Sequence, residues 1–440
     1  MLLSVSRYGA TIILLISCGA YVLYVSQVPM ADNLPAGQSQ TANGSSPASA
    51  STKIGVSFPR VDHIIDELPA VPETHTRAVC EAVATTRPPP PECRKLNVRE
   101  REFPTNCPEE ELYVKLWVER RPAQHRWIIV EVGVNKGYAV AGILEALGYG
   151  KIYSRRRLAD ALFRYAYVSR PNMSISARRN LCGACCECID EPTKPRCDPQ
   201  ADVNFIGFDG SGTHLDFLRV FFNDSRFTFH HAAVTNAAGA EVAFPRVELG
   251  EETGMAGYGE ERVPQTTLDA AVGHLQYIDV LMTDAEGMDL HIGLGARKLF
   301  HKQKVGMYIF EVHKIKGNKL SLRGHIEWLN RRGMTCYWAI HGRNISRRVA
   351  RMSGGCFFHS YESTRGWYNV VCVNRNFPEL RDVMNELEQT PKDEWFHECS
   401  LKRQKRAMEE RWQAREESVS KTTLEAWRWV VEGAEERPHV

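Results

Sequence analysis

The chain has 440 residues, enough at roughly 150 per domain for one large domain with accessories or for two to three domains. Charged residues make up 25% and hydrophobic residues 43%, which excludes a wholly disordered, collagen-like or multi-span membrane chain. Lys and Arg number 55 against 53 Asp and Glu, a net charge of +2, so no global basic field points to nucleic acid.

Tyr8 to Val28 is a run of 21 residues without a charge, against the ~20 that span a bilayer as a helix. Arg7 precedes it and Asp32 is the first charge after it. The positive-inside rule then predicts a type II signal anchor over 8–28, with residues 1–7 as a cytosolic tail and the rest in the lumen. A cleaved signal peptide ending near Ala20 and a lipoprotein signal around Leu15–Cys18 are the alternatives, and the apolar run continues past both. Residues 29–60, rich in Ser, Ala, Gly and Pro, read as a disordered stem. Four N-x-S sequons, at Asn43, Asn172, Asn223 and Asn344, and an even 12 Cys once Cys18 is set aside agree with a lumenal chain. The expected location is a Golgi or other secretory-pathway membrane.

Residues 61–126 contain Cys80, Cys93, Cys107 and a run of prolines, Pro88 to Pro91. They read as an irregular, disulfide-tied cap with one short helix near Glu109–Glu119. From Trp127 short apolar runs recur: 127–132, 203–208, 227–234, 277–282, 305–312, 336–340 and 369–373. Helix-like stretches fall between several of them, at 138–147, 214–222, 290–301 and 320–331. Alternating short strands and helices predict an α/β fold with a mainly parallel sheet over 127–376. Residues 377–440 are charged and helix-compatible, and the basic run Lys402, Arg403, Lys405, Arg406 reads as a solvated helix face.

The first strand ends in Glu131-Val-Gly133-Val-Asn135-Lys-Gly137, a glycine turn between a strand and a helix. Its G-x-x-x-G spacing differs from the dinucleotide pattern, and the carboxylate of Glu131 suits a cationic or hydroxyl-rich ligand better than a diphosphate. An ordinary strand-to-helix turn is the alternative. Asp209 closes the next strand, where a ribose diol is commonly gripped. Asp284 and Glu286 stand at the mouth of a third strand, and Glu311 and His313 end a fourth. Four strands that deliver polar groups at their carboxyl ends predict a ligand crevice. Helix capping by Asp284, and simple packing of His313 at a strand end, are the alternatives.

The ordered series Val-Glu131-Val-Gly-Val-Asn-Lys-Gly-Tyr, Gly-Phe-Asp209, His231-Ala-Ala-Val-Thr-Asn-Ala-Ala-Gly, Thr-Leu-Asp269, Ile-Asp-Val-Leu-Met-Thr-Asp284-Ala-Glu-Gly and Phe310-Glu-Val-His313 resembles the FkbM-type S-adenosylmethionine-dependent methyltransferases. The resemblance covers 127–376. It implies a class I methyltransferase, Rossmann-like fold with a mainly parallel seven-stranded sheet, and O-methylation of a hydroxyl, most naturally on a glycan. S-adenosylmethionine would then be lined by Glu131, Gly133, Asn135, Gly137, Asp209 and Ala233, with His313, Asp284, Glu311 and Glu286 as candidate catalytic groups. A catalytically inactive binding protein on this fold and a nucleotide-linked oxidoreductase on the same sheet are the competing functions.

The sequence departs from the pattern twice. Gly133 and Asp209 lie 76 residues apart, against the usual ~20, so 151–202 reads as an insertion. Met282 stands where the family commonly has a lysine. The insertion carries Cys182, Cys185, Cys186, Cys188 and Cys197; C-x-x-C spacing can hold zinc, but the crowding fits disulfides better, and no metal is expected. The expected partners are a hydroxyl-bearing acceptor and, through one helix, a membrane.

Overall fold

The computed structural model describes residues 2–7, 10–17 and 20–27, and then 110–389 apart from 123, 170–172, 174–179, 183–200, 240, 247–248, 250–258, 260, 314–319, 341–347, 358–360 and 363–366. The stem, Cys80, Cys93 and Cys107 of the cap, the sequons at Asn43, Asn172 and Asn344, the cysteines Cys185, Cys186, Cys188 and Cys197, and the tail beyond Gln389 lie outside the described residues. The chain divides into two units, Met1–Arg60 and Val61–Val440.

In the first unit, β1 (Leu2–Arg7), β2 (Ala10–Ser17) and β3 (Ala20–Gln27) form an antiparallel meander. A single helix was the expectation over 8–28, and the described residues there are strands β2 and β3. The composition allows it: Ile12, Ile13, Ile16, Val22 and Val25 are β-branched, and Tyr21 and Tyr24 are aromatic. No helix among the described residues is long and apolar enough to cross a membrane.

The second unit runs through α1 (Glu110–Val118), β4 (Arg126–Val132), α2 (Tyr138–Leu144), α3 (Arg155–Ser169), β5 (Asp202–Asp209), α4 (Gly212–Phe221), β6 (Phe227–His231), β7 (Ala233–Val234), β8 (Glu241–Phe244), β9 (Glu261–Thr266) and α5 (Leu268–Ala271). It continues through β10 (Ile278–Thr283), α6 (Asp289–Leu294), α7 (Arg297–His301), β11 (Val305–His313), α8 (Leu322–Arg331), β12 (Met334–Ala339), β13 (Val349–Arg351), β14 (Trp367–Asn374) and α9 (Pro378–Gln389). Eight strands make one sheet in the order β13-β12-β14-β11-β10-β4-β5-β6. Strands β11, β10, β4, β5 and β6 pair in parallel, and β14 runs antiparallel to both its neighbours. The sheet is therefore the mainly parallel one expected, with β13 added at an edge.

Successive residues of each central strand face opposite sides, and both sides are buried, which is why these strands read as continuous apolar runs. Ile129, Phe205, Val280 and Met307 pack against α1, α2, α3, α4 and α9 on one face; Val130, Ile206, Leu281 and Tyr308 pack against α5, α6, α7 and α8 on the other. The predicted cap helix is thus part of the main core, with Tyr113, Val114 and Trp117 buried and Trp117 edge-on to Trp127 at 5.0 Å.

Three elements differ from the sequence reading. The insertion contains α3, whose buried Leu158, Ala159, Leu162, Phe163 and Ala166 form one helical face. The apolar run 227–234 splits, with β6 in the main sheet and β7 in a small sheet of order β7-β9-β8. The helix expected over 290–301 breaks into α6 and α7 at Gly295, where an added Cβ would lie 2.1 Å from the Thr235 carbonyl oxygen. Cys336 on β12 and Cys372 on β14 form a disulfide across facing positions, and Cys182 and Cys356 each take part in a disulfide as well.

Candidate active site

After β4 the chain leaves to one side, through β5 and β6, and returns on the other side as β10. The carboxyl ends of β4 and β10 therefore flank a topological switch point, where open α/β sheets bind ligands. A cleft of about 680 Å³, counted out to its open mouth, lies there. Its walls include Gly133 and Asn135 after β4, Asp209 and Ser211 after β5, Ala233, Phe244, and Asp284 and Glu286 after β10.

The loop from Gly133 to Gly137 is built by backbone geometry. Gly133, Asn135 and Gly137 have φ of 80°, 49° and 84°, a left-handed region that favours glycine and tolerates asparagine. The Gly133 N–H donates to the Phe208 carbonyl at 2.8 Å, and the Asp284 N–H donates to the Val132 carbonyl at 2.9 Å. A Cβ on Gly133 would stand 1.9 Å from the Asp284 carbonyl oxygen. The glycine is thus required by the neighbouring loop, before any ligand is considered. A Cβ on Gly137 would meet Leu218 at 2.6 Å, so that glycine serves the packing of α2 on α4, and it does not line the cleft.

Asp209 ties the loops together. Its two carboxylate oxygens accept from the Asn135 and Ser211 N–H groups, each at 2.7 Å. Burial raises its pKa, and these hydrogen bonds oppose the rise. Each oxygen keeps a further lone pair, so the carboxylate can still accept from a diol. Glu131 is buried, stands outside the cleft lining, and has Oε2 without a hydrogen-bond partner. Burial, then the charges of Glu110, Asp284 and Asp209, push its pKa well above the ordinary carboxylate range. The charge of buried Lys136 acts in the opposite sense on Asp209.

At the other wall, Asp284 is exposed and Glu286 half-buried, with φ of 50° at Glu286. Glu286 Oε2 lies 3.4 Å from His313 Nδ1, and ligand atoms of Glu286, buried Glu311 and His313 all fall within 4.8 Å of one another. The structure therefore brings the four expected catalytic residues to the ends of two adjacent strands, β10 and β11. Three of them form a possible ligand set that the sequence reading, which expected no metal, did not assemble.

The sequence reading missed three further residues. His214, in the first turn of α4, lines the cleft with Nε2 buried and unpartnered; burial lowers its pKa to about 3, so the imidazole is neutral. Asp289 opens α6 and is fully buried, with its pKa raised to about 6 by burial against the opposing hydrogen bonds of Thr283 and the backbone. Nothing in the sequence distinguishes these two from surface residues. Phe244, the third, comes from β8, a strand whose four residues gave no readable pattern.

No family model matches the chain, and no curated protein matches it. The fold is similar to a TehB-like SAM-dependent methyltransferase from Corynebacterium glutamicum at 8% identity and a TM-score of 0.26, over 60% of this chain and 87% of that one. It is also similar to the CurJ carbon methyltransferase at 9% identity and a TM-score of 0.26, over 58% of this chain and 50% of that one. At such TM-scores the functional reading rests on the site's own geometry.

Proposed function

We propose that the chain is an S-adenosylmethionine-dependent O-methyltransferase acting on a hydroxyl-rich acceptor, with a glycan the first candidate. The observation that carries this is the charge of the cleft. Asp209, Asp284 and Glu286 line it, and none of its described lining residues is Lys or Arg. A pyrophosphate would face three carboxylates there, which disfavours a dinucleotide and the oxidoreductase reading. A ligand with a sulfonium, an amino group and a ribose diol meets that lining with the right sign. Phe208, Ala233, Val234 and Phe244 supply an apolar wall for a flat base.

S-adenosylmethionine supplies an electrophilic methyl group when bound. Asp209 holds the β4 loop through the Asn135 N–H and would accept from the ribose diol. Asp284 and Glu286 offer anionic partners to the cofactor's cationic groups and to acceptor hydroxyls. The acceptor hydroxyl must lose a proton, and His313 and Asp284 at the sheet mouth are the groups that can take it. Alignment of acceptor oxygen with the methyl carbon is the larger part of the task, and the rigid carboxyl ends of β4, β10 and β11 provide it. The disulfide between Cys336 and Cys372, and the exposed sequon at Asn223, support placement in an oxidising secretory compartment.

The test is incubation of the full chain with methyl-labelled S-adenosylmethionine and glycan fractions. Label should enter glycan in an alkali-stable form, as expected for a methyl ether. Label released by mild base, or none transferred while cofactor binds, would contradict hydroxyl methylation and favour carboxyl transfer or a non-catalytic binder.

A further inference from the structure

Glu286, Glu311 and His313 do more than offer a base. We propose that these three side chains hold a divalent cation of the Mn²⁺ class at the mouth of the cleft. The cation site itself stands on the cluster's geometry, and its consequence for the acceptor rests on the methyltransferase reading above.

The ligand atoms come from two neighbouring strand ends and all lie within 4.8 Å of one another. Donors that share one ion at ~2.1 Å sit at most ~4.2 Å apart. The set therefore closes on an ion with a sub-ångström shift, and Glu286 and His313 are each about one-third exposed, at the open side of the cluster. Two carboxylates and an imidazole converge here, and Glu311 is buried, so a cation between them would bring a counter-charge to a place with little access to water. One imidazole and two carboxylates form a mixed nitrogen and oxygen set suited to Mn²⁺ and similar ions rather than to a thiolate-bound metal.

Three protein ligands leave coordination positions open. Glu286 lines the cleft, so those positions are next to the ligand space. The chemistry that fills them is a pair of adjacent hydroxyl oxygens, which makes a vicinal diol the acceptor class. Coordination lowers the pKa of the bound hydroxyl. With His313 engaged as a ligand, the base falls to Asp284. The acceptor O–H gives its proton to Asp284, its oxygen takes the methyl carbon, and the carbon–sulfur electron pair stays on sulfur.

The test uses the full chain freed of cations by chelator and dialysis, titrated with MnCl₂ without cofactor, with free Mn²⁺ followed by electron paramagnetic resonance. One saturable Mn²⁺ per chain is expected. Glu286→Gln and Glu311→Gln should each weaken it by at least ~10-fold. If buried Glu311→Gln does not fold, His313→Gln and Glu286→Gln decide, since both positions are partly exposed. No saturable Mn²⁺, or wild-type affinity in folded variants, would overturn the cation site. A parallel S-adenosylmethionine titration of the wild type separates the two readings: Mn²⁺ binding without cofactor binding sinks the methyltransferase and leaves the cation site standing.

Discussion

Buried ionisable residues of opposite sign set the pH response. His214 and His325 both have pKa values lowered from 6.5 to about 3, chiefly by burial, and Asp289 is raised from 3.8 to about 6. The signs oppose. A histidine with a lowered folded pKa contributes stability that is complete above 6.5 and is lost as pH falls toward 3. A carboxyl with a raised folded pKa destabilises above about 6 and gives that cost back as pH falls toward 3.8. Glu131 and Asp209, also raised by burial, act in the same sense as Asp289, so the net slope is a balance and the test is a difference between variants. In urea unfolding between pH 7.5 and pH 5, His325→Phe should lose less stability than the wild type by about 2 kcal/mol, since His325 stacks on Trp328 at 5.6 Å and an aromatic ring fits there. An unchanged pH slope in the variant would show that His325 titrates normally. These residues were illegible in the sequence because a buried histidine and an exposed one are written the same way. Asp209, Asp284 and Glu286 were legible because they follow strands that end in them.

At the scale of elements, the site is a set of loops fixed by strand ends. The β4 and β10 loops approach so closely that Gly133 has no room for a side chain. Gly133→Ala should therefore destabilise the fold by about 3 kcal/mol or more, combining a strained positive φ with backbone overlap. Thermal unfolding checks this, and an unshifted melting temperature would mean that the loops separate readily. Loss of ligand binding in such a variant reports folding rather than a lost contact. Seven strands of the main sheet were readable because burial on both faces makes them apolar runs bounded by breaks. The small β7-β9-β8 sheet was not: β9 is Glu-Arg-Val-Pro-Gln-Thr, polar on most positions and interrupted by Pro264. Helix α3 was hidden by its four arginines and two tyrosines and by the cysteine-rich stretch that follows it, although its apolar spacing is helical. In the apolar run 8–28, length without charge does not by itself separate a helix from the β-branched strands β2 and β3.

On the scale of the whole molecule, strand order brings everything to one place. The change of winding direction at β4 opens a crevice, and the ends of β4, β5 and β10 with the start of α4 line it with a glycine loop, carboxylates and a neutral imidazole. The central claim is that this acidic crevice binds S-adenosylmethionine through Asp209. Calorimetric titration of the full chain and of Asp209→Asn with S-adenosylmethionine tests it most directly. The account predicts saturable binding by the wild type and a roughly ten- to hundredfold loss in the variant, the effect of about 1.5–3 kcal/mol for charge-assisted hydrogen bonds. No binding by the folded wild type, or equal affinity in a folded Asp209→Asn chain, would contradict it.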